Sequence, residues 1–292
     1  NLMLININDK LNKIFDIKKN IKRIFIQEAF GIVCEKIVLD NKKIFVLKYY
    51  KKQISKNSFN ALKAEVDSLH YLRNSGFLLF PNVIFSEDEL IILEFIDHEN
   101  NVVEVNNTNF LDIILAIHQK NSKYYGFSFD SQIGAMKQPN DIMSDWSEFF
   151  QKNRIEIVYD AICKVDPLPK ELNIKIEKLI LQIKNLLPQS PKPSLLHGDL
   201  WKGNILFKNN KVVGLIDPGI FFGHNEMELA YLRFFNFADE SFLKRYSSHI
   251  ALSSEYFLYE PIYQLYYCLL NVYLWSREYI KNTYDILKKI KI

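Results

Sequence analysis

The sequence predicts an α+β chain in two lobes: a small, mostly antiparallel β-sheet with one helix, then a larger, mainly helical part. Three observations predict it. Short apolar runs bounded by turn residues crowd positions 23–95. Past Asp97 the apolar residues recur at helical spacing. A stretch framed by Pro191 and Pro193 and by Gly219 and Gly223 interrupts that helical pattern. The boundary is placed after Ile96, giving an N-lobe over 1–96 and a C-lobe over 97–292.

In chain order, strands are expected at Arg23–Gln27, Ile32–Leu39 and Lys43–Tyr49, with Asp40-Asn41-Lys42 as a hairpin turn. A helix over Ser58–Asn74 follows from the spacing of Leu62, Val66, Leu69 and Leu72. Pro81-Asn82 breaks the chain, and strands Val83–Ser86 and Leu90–Phe95 flank the acidic turn Glu87-Asp88-Glu89. Helices are then expected over 108–120, 146–164, 171–187, 226–236, 240–251 and 255–279.

Bulk properties narrow the function. With 292 residues, 48% of them hydrophobic, the chain can bury a sizeable core. The 37 basic and 34 acidic residues leave a formal charge of +3, too balanced to argue for a nucleic-acid partner. No apolar run is long enough for a membrane span. The stretch Asn1–Asn20 is polar and of mixed charge, without the apolar core of a secretory signal. Cys34, Cys163 and Cys268 are far apart and show no metal-type spacing, which suits free thiols in a reducing, cytoplasmic setting. A monomer is expected, with a dimer left open.

The chemistry starts with two misplaced charges. Within the strand, along Ile44-Phe45-Val46-Leu47-Lys48, the period of two puts Lys48 on one face with Ile44 and Val46. Glu65 lies within the apolar stripe of the following helix, three residues after Leu62. Each needs a partner, and pairing them answers both needs. A Lys–Glu pair of this kind presents an ammonium to the phosphates of ATP. Downstream, His197-Gly198-Asp199-Leu200-Trp201-Lys202-Gly203-Asn204 carries Asp199 and Asn204 five residues apart, and Asp217-Pro218 follows two short apolar runs. Phosphoryl transfer needs these types: Asp199 to accept the proton of the attacking hydroxyl, Asn204 and Asp217 to hold Mg2+ on ATP. His197 is expected to brace the loop backbone. Glu94-Phe95-Ile96 stands where a hinge would offer backbone groups to adenine. Gly31 is the lone glycine where a phosphate-gripping loop should be, so that loop is thin.

These motifs, with Gly223-His224-Asn225-Glu226, resemble the fructosamine kinase (ketosamine-3-kinase) family, relatives of aminoglycoside and choline kinases in the protein-kinase-like fold. Further matches are Tyr125-Gly126-Phe127, Ile133-Gly134, Gln138-Pro139-Asn140, Asp145-Trp146 with Phe149-Phe150, Glu226-x-Glu228-Leu229-Ala230 and Tyr263-Gln264-Leu265-Tyr266, so the resemblance spans roughly 20–280. It implies ATP-dependent phosphorylation of a sugar hydroxyl on a ketosamine, a small-molecule or glycated-amine substrate, and a role in deglycation. Trp201 is then a candidate wall for the sugar or a cationic amine, or else a packed loop residue. His224 and Glu226 could contact the acceptor or brace the loop at Asp217. Departures from the family are the thin glycine loop, Tyr231–Phe235 where a Gly-containing stretch is common, the absence of a His near Val272, and Gly219 for a common Ala. Two alternatives stay open: a kinase for another hydroxylated amine of the aminoglycoside or choline type, and a nucleotide-binding pseudokinase.

Overall fold

The computed structural model describes residues 7–16, 21–55, 57–100 and 103–291. Of the polar stretch 1–20, positions 1–6 and 17–20 lie outside the described residues.

Helix α1 (Ile7–Phe15) opens the described chain, and strands β1 (Lys22–Ala29), β2 (Ile32–Val38) and β3 (Ile44–Tyr50) follow. Helix α2 (Ala61–Asn74) leads to β4 (Val83–Glu87) and β5 (Leu90–Glu94). The five strands form one antiparallel sheet in the order β1-β2-β3-β5-β4. Alternation along β3 and β5 divides the sheet into two faces. Ile91 and Leu93 join Leu62, Val66 and Leu69 of α2 on one side. Leu47, Leu90, Ile92 and Ile37 join Leu11 of α1 on the other. Helix α1 stands in a stretch read as merely polar. Its apolar stripe is only Ile7, Leu11, Ile14 and Phe15, and the intervening Asn, Asp and Lys residues mask it. Helix α2 starts at Ala61 rather than Ser58 because the Asn60 side chain caps it, accepting from the Lys63 N–H at 3.1 Å.

The C-lobe holds α3 (Phe110–His118), a small ribbon of β6 (Ser131–Ile133) and β7 (Met136–Gln138), and α4 (Trp146–Phe150). A π-helical turn, Gln151–Ile155, joins α4 to α5 (Glu156–Val165), so the single helix expected over 146–164 is irregular at its middle. Helix α6 (Lys170–Leu186) precedes two antiparallel ribbons. Strand β8 (Pro193–Leu196) pairs with β11 (Phe221–His224), and β9 (Ile205–Lys208) pairs with β10 (Lys211–Leu215). Helices α7 (Asn225–Phe234), α8 (Glu240–Ser247), α9 (Tyr256–Leu274) and α10 (Ile280–Leu287) complete the lobe. The helix expected over 255–279 stops at Leu274, because the Ser276 side chain caps a new start by accepting from the Glu278 N–H.

The fold is thus α+β and two-lobed, of the protein-kinase-like kind. One apolar core runs from Leu62 and Leu69 of α2 through Phe80 to Ile114, Leu195, Leu232 and Leu265. This continuity holds the sheet in place over the two ribbons. Among the described residues, no helix is long and apolar enough to cross a membrane.

Candidate active site

The loop 197–204 leaves β8 and enters β9, and the segment 216–219 lies directly against it. Gly198 adopts φ +89°, and a Cβ there would lie 2.0 Å from the Gly219 carbonyl oxygen. A Cβ on Gly219 would in turn lie 1.9 Å from the carbonyl oxygen of Gln132. Glycine at both positions lets three backbone segments stack. The Gly219 N–H donates to the His197 carbonyl at 2.9 Å, and the Ile216 N–H donates to the Asn204 carbonyl at 3.0 Å. The Asp199 N–H donates to His197 Nδ1 at 3.3 Å, which leaves Nε2–H to donate to the Ile216 carbonyl at 3.0 Å. Burial pushes the His197 ring below the ordinary histidine range, in keeping with a neutral brace.

Beneath this loop sits Glu228 of α7, fully buried. Its carboxylate accepts from the backbone N–H of Gly198 at 2.9 Å and of His197 at 3.2 Å, and from His118 Nε2 at 2.9 Å. His118 Nδ1 meets the Tyr246 hydroxyl at 2.7 Å, and Asn225 Nδ2 donates to that hydroxyl at 2.8 Å. Burial alone would raise the Glu228 carboxyl, but His118 and the backbone donors hold it below the ordinary range.

Above the loop, Lys48 of β3 reaches down from the sheet. Its Nζ donates to Glu65 at 2.7 Å and to Asp217 Oδ1 at 2.5 Å. Burial would lower the lysine, but the two carboxylates hold it well above its usual value, so the ammonium stays charged. Asp217 has φ +56°, a left-handed conformation that Asp tolerates better than most residues. Asp199 keeps part of its surface exposed. Burial of the rest and the nearby Asp217 carboxylate push its carboxyl up to about 8. Asn204 Nδ2 donates to the Asp199 carbonyl at 2.8 Å and approaches Asp199 Oδ2 at 3.3 Å. The amide nitrogen is thereby committed, and the carbonyl oxygen is the end left for a cation. No cluster of three or more His, Cys, Asp or Glu ligands exists among the described residues. One carboxylate and one amide oxygen fit Mg2+ held mainly by phosphate and water.

The remaining candidate residues are distributed as follows. Gly31 and Phe30, with φ +78° and +55°, form the exposed two-residue turn of the β1–β2 hairpin. Phe30 packs edge-on against Trp275 of the C-lobe, centroids 5.0 Å apart. In the hinge, Glu94 is engaged with Asn82: its N–H donates to the Asn82 carbonyl at 2.9 Å, and its Oε2 accepts from Asn82 Nδ2 at 2.8 Å. Lys36 lies over the Phe95 ring at 4.3 Å, and the Ile96 carbonyl takes His98 Nδ1 at 2.8 Å. The Glu94 N–H turns toward Asn82, so alternation along the chain aims the Phe95 N–H back at β3 and the Ile96 N–H away from it. The Trp201 ring lies over Gly203 and 5.8 Å from Phe235, and it is 38% exposed.

His224 and Glu226 face elsewhere. The Trp146 Nε1–H donates to the Tyr263 hydroxyl at 2.8 Å, which donates in turn to His224 Nδ1 at 2.8 Å. Glu226 Oε1 accepts from the Ser253 N–H at 2.5 Å. Both residues line a cavity of about 340 Å³ with His118, Asn121, Lys192 and Ser194. Their hydrogen bonds brace the start of α7 and do not reach Asp199 or Asp217.

The structure therefore gathers Lys48, Glu65, Asp199, Asn204 and Asp217 into one cluster between the lobes. Sequence reasoning gave no site role to Glu228, His118, Tyr231 or Gln132, the last of which donates its side-chain amide to the Pro218 carbonyl at 3.0 Å. Glu228 did carry a signal: a carboxylate before Leu229-Ala230 on an apolar helix needs a buried partner, as Glu65 does.

Comparison with known proteins agrees with this geometry. A ketoamine kinase, provisionally so named, from Enterococcus faecium is 28% identical over 233 residues, covering 77% of this chain and 81% of that protein. The chloroplastic protein-ribulosamine 3-kinase of Arabidopsis thaliana is 29% identical over 203 residues, 68% of this chain and 60% of that one. A crystal structure from Thermobifida fusca, described provisionally as a fructosamine-3-kinase, has a TM-score of 0.83 at 21% identity, covering 97% of this chain and 98% of that one. The pattern of the fructosamine kinase family matches residues 7–292. The chain belongs to the fructosamine kinase family and is a phosphotransferase acting on an alcohol acceptor.

Proposed function

We propose that this chain transfers the γ-phosphoryl group of ATP to a sugar hydroxyl of a ketosamine, a ribulosamine or fructosamine, and so serves deglycation in the cytoplasm. The observation that carries the reading is the Lys48 ammonium, joined at once to Glu65 of the N-lobe and to Asp217 of the C-lobe, beside Asp199. In this reading residues 1–96 hold the nucleotide and 97–292 hold the acceptor. Lys48, oriented by Glu65, meets the phosphates, while the backbone of the hinge, through the Ile96 N–H, meets adenine. Glu94 contributes its carbonyl at most, since Asn82 engages its N–H and carboxylate. The Gly31 turn covers the phosphates from above.

Asn204 Oδ1 and Asp217 would hold Mg2+, which supplies charge neutralisation on the β- and γ-phosphates. Asp217 then gives up its bond to Lys48. Asp199, in its carboxylate form, takes the proton of the acceptor hydroxyl as the new O–P bond forms and the bond from the γ-phosphorus to the oxygen bridging it to the β-phosphate breaks, its electron pair leaving on ADP. The exposed face of Trp201 supports the apolar face of the sugar.

The test is a panel of ribulosyl-lysine, a fructosamine, choline and an aminoglycoside with ATP, followed by ADP release. Turnover of the ketosamines is expected. If both are inert while another acceptor is phosphorylated, the ketosamine assignment fails. Asp199→Asn should keep Mg-ATP binding and lose at least ~100-fold in turnover. Unchanged turnover would remove Asp199 from its role.

A further inference from the structure

Tyr231, on α7, lies outside the motif set yet reaches the proton acceptor. Its hydroxyl donates to Asp199 Oδ1 at 3.3 Å, while Asn204 Nδ2 approaches Oδ2 at 3.3 Å. The carboxylate is approached at both oxygens, so its plane is defined by neighbours rather than by its own torsion. The phenol is itself immobile. Its ring lies parallel to that of Tyr267, with centroids 3.7 Å apart and 5° between planes, and Phe235 closes its other side at 5.5 Å. Tyr231 is 5% exposed. It stands three residues after Glu228, hence on the same helix face. Helix α7 therefore holds the catalytic loop at two points: Glu228 at the His197 and Gly198 backbone, and Tyr231 at the Asp199 side chain.

We propose that Tyr231 is a positioning residue for phosphoryl transfer: its hydroxyl fixes the Asp199 carboxylate so that the unused lone pairs meet the acceptor hydroxyl. A flexible carboxylate could ligate the cation or turn away from the acceptor. The phenol donor prevents both without touching the nucleotide. The role is specific to this reaction, because the groups that hold ATP lie on Lys48, Glu65 and Asp217, none of which Tyr231 contacts. The inference rests on Asp199 being the proton acceptor.

The variant Tyr231→Phe keeps the ring stack and deletes only the hydroxyl. With the acceptor that the wild-type protein phosphorylates, kcat should fall about tenfold, the value of one hydrogen bond to a charged group. The KM for ATP should not change, and the melting temperature should fall by no more than about 2–4 °C, the loss of one hydrogen bond. In an Asp199→Asn background the same substitution should cost nothing more, since the two groups act as one unit. Wild-type kcat in Tyr231→Phe would overturn the proposal, as would equal losses in both backgrounds. A fall in kcat accompanied by weaker ATP binding and a larger fall in melting temperature would assign Tyr231 to packing alone and overturn it too. A wild-type protein inert toward every acceptor would overturn the kinase reading itself and this proposal with it, a result visible before any Tyr231 variant is made.

Discussion

Replacing Glu228 offers a direct measure of how the catalytic loop is held. The carboxylate accepts three hydrogen bonds, from the His197 N–H, the Gly198 N–H and His118 Nε2, and it has no access to water. In Glu228→Gln the amide oxygen can replace Oε2, which serves His118 and His197. The amide NH2 then faces the Gly198 N–H, donor against donor. One buried N–H is orphaned at a cost of about 1–3 kcal/mol, and the other two bonds lose their charge assistance at roughly 0.5–1 kcal/mol each. The total is about 3 kcal/mol. In Glu228→Ala all three donors are orphaned and a cavity is left, which raises the cost to about 5 kcal/mol. Urea unfolding followed through the buried Trp146 reads the stability, and turnover with saturating ATP reads the loop. The expected pattern is a graded loss of stability, Gln then Ala, with kcat falling in the same order because Gly198 precedes Asp199. A Glu228→Gln protein within ~0.5 kcal/mol of wild type, with normal kcat, would refute the reasoning.

Two further outcomes are expected. Gly219→Ala places a Cβ 1.9 Å from the Gln132 carbonyl, so the segment bearing Asp217 must move. Stability should drop by about 1–3 kcal/mol and Mg-ATP affinity should weaken, as calorimetry would show. The second concerns pH. Burial, with His118 nearby, brings His224 down to about 3, whereas the unfolded ring takes a proton near ~6.5, so its contribution is lost as pH falls below that value. Burial, partly offset by the Ser253 N–H, pushes Glu226 up to about 7, so its contribution is lost in the opposite direction, as pH rises above the ordinary carboxylate value. The two oppose each other between pH ~5 and ~6.5. Removing one side with Glu226→Gln should therefore cost about 2 kcal/mol more than in wild type between pH 7 and 5, measured by urea unfolding at each pH. Parallel pH profiles would refute it.

The legible parts of this protein were those where a local pattern carried a physical demand. Lys48 and Glu65 each stood on an apolar face, and a charge there requires a partner, so the pair could be read without any structure. Asp199, Asn204 and Asp217 were legible through spacing, because a short loop and two short strands leave them few places to go. What escaped depended on distant chain segments. His118 and Glu228 lie 110 residues apart, and nothing local to either announces the other. Tyr231 was noticed only as the start of Tyr231–Phe235, where a Gly-containing stretch is common in the family, and nothing local links it to Asp199. His224 and Glu226 were read as contacting the acceptor or bracing the loop at Asp217, but β11 carries them to the far end of its ribbon, where His224 pairs with Pro193. The hinge was half legible: the strand end was found, but not that Asn82 engages Glu94. Helix α1 was legible but passed over: Ile7, Leu11, Ile14 and Phe15 recur at i, i+4, i+7 and i+8, the spacing of an amphipathic helix.

The meeting of Gly198 with Gly219 separates two kinds of evolutionary freedom. Where main chain rests on main chain, the offset between Asp199 and Asp217 is inherited with the fold and is blind to side-chain drift nearby. On the proposed reading, acceptor preference can then diverge at the exposed face of Trp201 without any retuning of the phosphoryl-transfer machinery.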